Sequence, residues 1–186
     1  SENLPVDMIA RMINRYLEIC CDEISVAGGE VTKFMGDGVM AYFAPGLADN
    51  AVAACLNILS KVHDVRQSAD TRSPLRLLHC GFGLSQGVVI EGNMGSAIKK
   101  DYTILGEPVN TAKRLEALSR DVHKAIVLSE QVKISTQRAW DFVSLGKHDL
   151  RGKARMTELY FPDHDLVNDF SPRETILHGM KEVHKE

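Results

Sequence analysis

The stretch from Gly28 to Phe43 constrains the fold of this chain more than any other. Two short apolar runs, ending at Met35 and starting at Val39, flank Gly36-Asp37-Gly38. Asp-Gly between such runs predicts a tight β-hairpin, because glycine supplies positive φ and the turn twists with its strands. The tip of a hairpin is held rigidly, so Asp37 is a carboxylate in a fixed place, suited to aiming at a metal ion. Lys33 lies four positions upstream in a strand otherwise fit for burial. An ammonium there needs a partner or a ligand. Taken alone, the same residues also describe a solvated lysine beside an ordinary turn.

Around this hairpin the chain alternates helices and strands. Pro5 suits a first helical turn, and Met8, Met12, Ile13, Tyr16, Ile19, Cys20 and Ile24 recur at helical spacing until Gly28-Gly29. A second helix is predicted over about Asp49 to Ser68, with Ala53, Ala54, Leu56, Leu59 and Val62 on its inner side. Leu75 to Leu84 reads as a strand and Gly87 to Glu91 as its partner, followed by a loop at Gly92 to Ser96. A helix from about Pro108 to Leu118, a buried strand at Ala125 to Leu128 and a helix capped by Ser129 come next. Trp140 to Leu145 and Arg155 to Phe161 close the sheet, and residues 163–186 read as a tail outside a domain of residues 1–162. This order predicts an α+β fold, a ferredoxin-like core of mostly antiparallel sheet with helices on one face.

Composition narrows the function. With 186 residues, 44% of them hydrophobic, the chain has enough apolar content for one domain with a real core. A net charge of −3 argues against a general nucleic-acid binder. There is no apolar run of membrane-spanning length and no leader pattern, so a cytoplasmic setting is expected. Cys20, Cys21, Cys55 and Cys80 form no C-x-x-C pair and read as free thiols of a reducing compartment. The opening Ser1-Glu2-Asn3 has no initiator methionine and reads as the start of a piece of a longer protein.

A second informative stretch runs from Asp101 to Glu116. Asn110 and Arg114, four apart, project from one face if this segment is helical. An amide beside a guanidinium is suited to holding an oxygen-rich anionic group.

Four segments in register, Lys33-Phe34-Met35-Gly36-Asp37-Gly38, Thr103-Ile104-Leu105-Gly106, Val109-Asn110-Thr111-Ala112-Lys113-Arg114 and Leu150-Arg151-Gly152-Lys153, resemble the class III nucleotidyl cyclase catalytic domain. The segments between them are similar to the cyclase domains of bacterial-type photoactivated adenylyl cyclases, whose flavin-binding sensor would lie upstream; no flavin is expected in this chain. The resemblance implies conversion of ATP to 3′,5′-cyclic AMP and pyrophosphate. It implies two Mg²⁺ (or Mn²⁺) ions per complete site, with Asp37 as one of their two carboxylates. Asn110 would orient the ribose or the attacking hydroxyl, and Arg114 would stabilise charge on the reacting phosphate. Arg151 would hold the triphosphate with Lys153 beside it, while Lys99 is either a further phosphate contact or a surface lysine. The family forms its site between two protomers arranged head to tail, so a homodimer is implied.

Lys33 and Thr103 correspond to the base-selecting pair, and their chemistry is direct. Adenine offers an acceptor at N1 and a donor at its amine; a lysine donates to the first and a threonine hydroxyl accepts from the second. Guanine carries a donor at N1 that would face the ammonium. A hydrogen-bonding pocket of this kind discriminates by up to on the order of 10⁴, so the pair favours ATP over GTP.

One family element has no counterpart. The strand bearing the other metal carboxylate should precede the first helix, and neither Asp7 nor Asp22 can replace it, because both fall on that helix. Either the chain begins after that strand, leaving sheet edges exposed and this piece short of activity, or it is a catalytically silent dimerisation or nucleotide-sensing module. An RNA-binding ferredoxin-like domain would need sheet aromatics and basic charge, and a diguanylate cyclase would need a Gly-Gly-Asp/Glu-Glu-Phe hairpin; both are absent.

Overall fold

The computed structural model describes residues 6–70, 73–95, 100–150 and 156–170. Helix α1 (Val6–Val26) leads into the hairpin of β1 (Glu30–Met35) and β2 (Gly38–Tyr42), and α2 (Ala48–Ser68) follows. A single 3₁₀ turn, Pro74–Leu77, precedes β3 (Phe82–Leu84), β4 (Ile90–Gly95) and β5 (Lys100–Leu105). Then come α3 (Glu107–Asp121), β6 (Ile126–Ser129), α4 (Glu130–Ser135), β7 (Phe142–His148), β8 (Thr157–Pro162) and α5 (Asp165–Asn168). No helix among the described residues is long and apolar enough to cross a membrane.

The opening hairpin forms as expected. Met35 pairs with Gly38, leaving Gly36 and Asp37 as a two-residue loop. Gly36 carries φ +67° at the first central position, where a side chain would be strained. Upstream, Gly28 N–H and Gly29 N–H donate to the carbonyls of Ser25 and Ile24, closing α1 just before β1 begins. The β1–β2 register slips between Val31 and Lys33, and Thr32 Oγ1 donates to the Met40 carbonyl at 3.1 Å. Such a bulge re-aims the side chains around it.

Among the described residues the strands make three sheets: β1–β2, β4–β5, and a four-stranded sheet in the order β3-β6-β8-β7. The mixed helix-and-sheet class is as predicted, but two local readings are corrected. Leu75 to Leu84 is not one strand: Pro74 opens the 3₁₀ turn, with Ser73 Oγ accepting from Leu75 N–H, and only Phe82–Leu84 forms a strand. Gly87 to Glu91 does not pair with it. Instead Ile90–Gly95, whose last four residues read as loop from sequence, pairs antiparallel with Lys100–Leu105. β3 pairs with β6, and in parallel. Parallel pairing needs a crossover, here supplied by the β4–β5 hairpin and α3.

Gly83 explains how tightly that crossover returns. A Cβ at this position would lie 2.0 Å from the Ala112 carbonyl oxygen and 2.4 Å from Glu116 N. The bare backbone of β3 therefore lets α3 lie directly upon it, burying Thr111, Leu115 and Ser119 completely.

The main core lies where α1 and α2 meet the sheets. Ile19, Cys20, Ile24, Ile58, Leu59 and Val62 pack with Leu78, Cys80, Ile126 and Phe161. The segment after Pro162, read as lying outside the core, contributes Val167 and Phe170 to this cluster. Residues 163–170 dock through these two apolar side chains and through Ala125 N–H, which donates to the Val167 carbonyl at 3.0 Å. All four cysteines are free thiols, and burial pushes Cys20 up to about 11 and Cys80 well above its ordinary value.

A buried carboxylate ties the second half of the domain to α2. Asp49, in the first turn of α2, is 7% exposed. It accepts from Gln137 N–H at 2.8 Å, Arg138 N–H at 3.1 Å and Trp140 Nε1 at 2.6 Å. Burial alone would raise its pKa, but these three donors, with the Arg138 charge, outweigh that and hold it below the ordinary 3.8.

Candidate active site

The candidate residues are carried by three neighbouring elements. Lys33 and Asp37 stand on β1 and at its tip, Thr103 on β5, and Asn110 and Arg114 on α3. β1 and β5 lie side by side. The pKa of the Tyr102 hydroxyl, on β5, is raised above its ordinary value chiefly by desolvation and by the neighbouring Glu91, with Glu30 of β1 and Tyr42 of β2 adding to it. Lys33 and Thr103 thus sit on adjacent strands, while α3 starts directly from the end of β5.

Lys33 lies within β1 and Asp37 on the turn beyond its end, at most roughly 13 Å apart at about 3.3 Å per residue.

On α3 the expected face forms. Asn110 is exposed and Arg114 half-buried, one turn apart. Arg114 is not alone: its Nη1 donates to Glu107 Oε1 at 3.3 Å. The same oxygen accepts from Thr111 Oγ1 at 3.2 Å. Sequence reading passed over Glu107 and Thr111. Their spacing from Arg114, seven and three residues, carried the signal, since 107, 111 and 114 share one helical face.

Lys33 is exposed, against the expectation of a buried strand lysine. Apolar side chains of both β1 and β5 are uncovered: Phe34 is 51% exposed, Met35 44%, Tyr102 49% and Leu105 52%. Large apolar side chains clustered on the strands that carry the candidate residues are unusual for a free surface. A concavity elsewhere, between α2, the lead into β3 and α5, is lined by Arg66, His79, Asp169 and Phe170 and contains none of the candidates. The candidate site is an open face.

A metal pair does not fit the described residues. Asp37 is exposed at the tip, and no group of three His, Cys, Asp or Glu gathers among the described residues. One carboxylate is too few for two Mg²⁺ ions, which yield their water reluctantly. Arg151, Lys153 and Lys99, the expected phosphate contacts, lie outside the described residues.

The described fold thus combines a tight glycine-tipped hairpin, a helix face carrying an amide and a guanidinium, and a mixed four-stranded sheet. The family model for the adenylate and guanylate cyclase catalytic domain matches residues 2–162, and the chain belongs to that family. It is similar to a structure of a bacterial light-regulated adenylyl cyclase, with TM-score 0.92 and 39% identity over 100% of this chain and 52% of that one. The photoactivated adenylate cyclase subunit alpha-like protein ST- of Euglena gracilis is 38% identical over 136 residues, 71% of this chain and 13% of that protein. The adenylyl cyclase CyaB from P. aeruginosa superposes with TM-score 0.75 at 26% identity, covering 86% of this chain and 84% of that one. The chain therefore spans about half the length of the light-regulated structure and a small fraction of the Euglena protein.

Proposed function

We propose that this chain is an adenylyl cyclase domain, converting ATP to 3′,5′-cyclic AMP and pyrophosphate in a site that a second copy completes. The observation that carries this reading is Lys33 and Thr103 on adjacent strands. The ammonium donates to adenine N1, and the threonine hydroxyl accepts from the exocyclic amine. Arg114 neutralises charge as the ribose 3′-oxygen attacks the α-phosphorus, while Asn110, one turn earlier, orients the ribose. Arg151 and Lys153 take the remaining phosphates, with Lys99 a further contact. Phosphoryl-type transfer asks mainly for positioning and charge stabilisation, which these side chains supply.

The uncovered apolar side chains on β1 and β5 support the head-to-tail homodimer, because burying them on a second copy covers the open face. Asp37 is the carboxylate assigned to divalent metal in that assembly. Since no group of three His, Cys, Asp or Glu gathers among the described residues, low turnover is expected of these 186 residues by themselves. The names of the light-regulated relatives support control by a coupled sensor. A cytoplasmic setting fits the free thiols. The reading of a silent dimerisation or nucleotide-sensing module is favoured by one observation, that no group of three His, Cys, Asp or Glu gathers among the described residues.

The deciding experiment measures cyclic AMP and cyclic GMP formed from ATP and GTP with Mn²⁺. We expect cyclic AMP, and loss of ATP preference in Lys33→Glu. Equal use of both nucleotides by the unchanged chain would refute the base pocket, and ATP binding without any product would favour the silent module. Product formation undiminished in Asp37→Ala would refute the metal assignment.

A further inference from the structure

We propose that Glu107 is an internal anion that occupies Arg114 in the empty protein and competes with the substrate phosphate for it. This rests on the reading of Arg114 as a phosphate-binding residue. Glu107 is the first residue of α3, where the helix macrodipole favours a carboxylate. Its Oε1 is also fixed by Thr111 Oγ1, and Thr111 is completely buried. The carboxylate is therefore anchored at the end of the Asn110–Arg114 face, where an anionic group held by Arg114 would sit.

The contact is built to be exchanged. It uses one guanidinium nitrogen, at 3.3 Å, longer than the roughly 2.7–2.9 Å of a strong charge-assisted bond. Both partners touch water, with side-chain exposures of 31% for Arg114 and 53% for Glu107. An ion pair of that kind is weak, whereas a phosphate brings more charge and can engage the guanidinium bidentately. ATP binding must then break the Glu107 contact and bring its phosphates beside a carboxylate.

The test is equilibrium binding of ATP and of adenosine to the unchanged chain, Glu107→Gln, Arg114→Ala and the double variant. Glu107→Gln is expected to bind ATP tighter by roughly two- to fivefold, the equilibrium weight of an exposed ion pair, and adenosine equally well. Structural damage cannot produce this pattern, because misfolding weakens binding. In the Arg114→Ala background the gain should disappear. Unchanged or weaker ATP binding in Glu107→Gln overturns the competitor role, as does a gain that persists without Arg114. If Arg114→Ala itself leaves ATP affinity and turnover unchanged, the phosphate role of Arg114 fails first. Undetectable ATP binding throughout overturns the nucleotide reading and this role with it.

Discussion

Replacing Gly83 by alanine tests whether the seat of α3 on β3 positions the candidate site. The added Cβ would lie 2.0 Å from Ala112 O, 2.4 Å from Glu116 N and 2.9 Å from Leu115 Cβ. Two of these atoms are helix backbone and the third is the first atom of a completely buried side chain, so no rotamer change relieves the clash. To restore ordinary contact distances α3 must retreat by about 1 Å or more. Overpacking of this kind costs typically 1–3 kcal/mol, and contact with backbone places it near the upper end, about 3 kcal/mol. Urea unfolding measures that loss directly. Asn110 and Arg114 ride on the same helix, and a shift near 1 Å can cost about 100-fold in rate, so cyclic AMP formation should fall further than stability alone explains. Gly36→Ala provides the contrast: nothing lies within 4 Å, but φ is +67°, so it should cost only about 1 kcal/mol of backbone strain. A Gly83→Ala chain that lost less than about 0.5 kcal/mol, the usual range for an innocuous surface change, would refute the argument that β3 sets the height of α3.

Asp49→Ala leaves Gln137 N–H, Arg138 N–H and Trp140 Nε1 without their acceptor; we expect a loss of about 3 kcal/mol, read from the urea midpoint with an unchanged slope. Because Asp49 is held below 3.8 in the fold, its contribution is complete above that value and disappears as pH falls through the lowered one. His79 acts in a different window. Burial, with Arg66 adding to it, lowers its ionisation from 6.5 to about 4. The unfolded chain therefore takes up a proton first, and stability should decline as pH falls from 6.5 to about 4. His79→Leu should flatten that decline without altering the Asp49 window; an unchanged profile would show that His79 does not titrate as its burial requires.

Much of the fold was legible because it is local. The Gly36-Asp37 turn, the end of α1 at Gly28 and the start of α3 beside Pro108 are each set by a few residues whose backbone preferences point one way. What sequence reading missed involves partners far along the chain. β4 pairs with β5, not with β3, and β3 takes β6 in parallel, since a three-residue strand has too little pattern to declare its neighbour. The segment after Pro162 is polar enough to read as a tail, and only the core shows the place that Val167 and Phe170 fill.

The candidate site divides in the same way. Sequence by itself determined the identity and spacing of Lys33, Asp37, Thr103, Asn110 and Arg114, and hence the family, because hydrogen-bonding chemistry and helical or strand periodicity are properties of short segments. Tertiary structure decided that β1 lies beside β5, that α3 rests on a glycine of β3, and that Arg114 is held by Glu107. It also showed the face around Phe34 and Tyr102 uncovered. Exposure and approach depend on the whole chain's packing, and no local pattern encodes them.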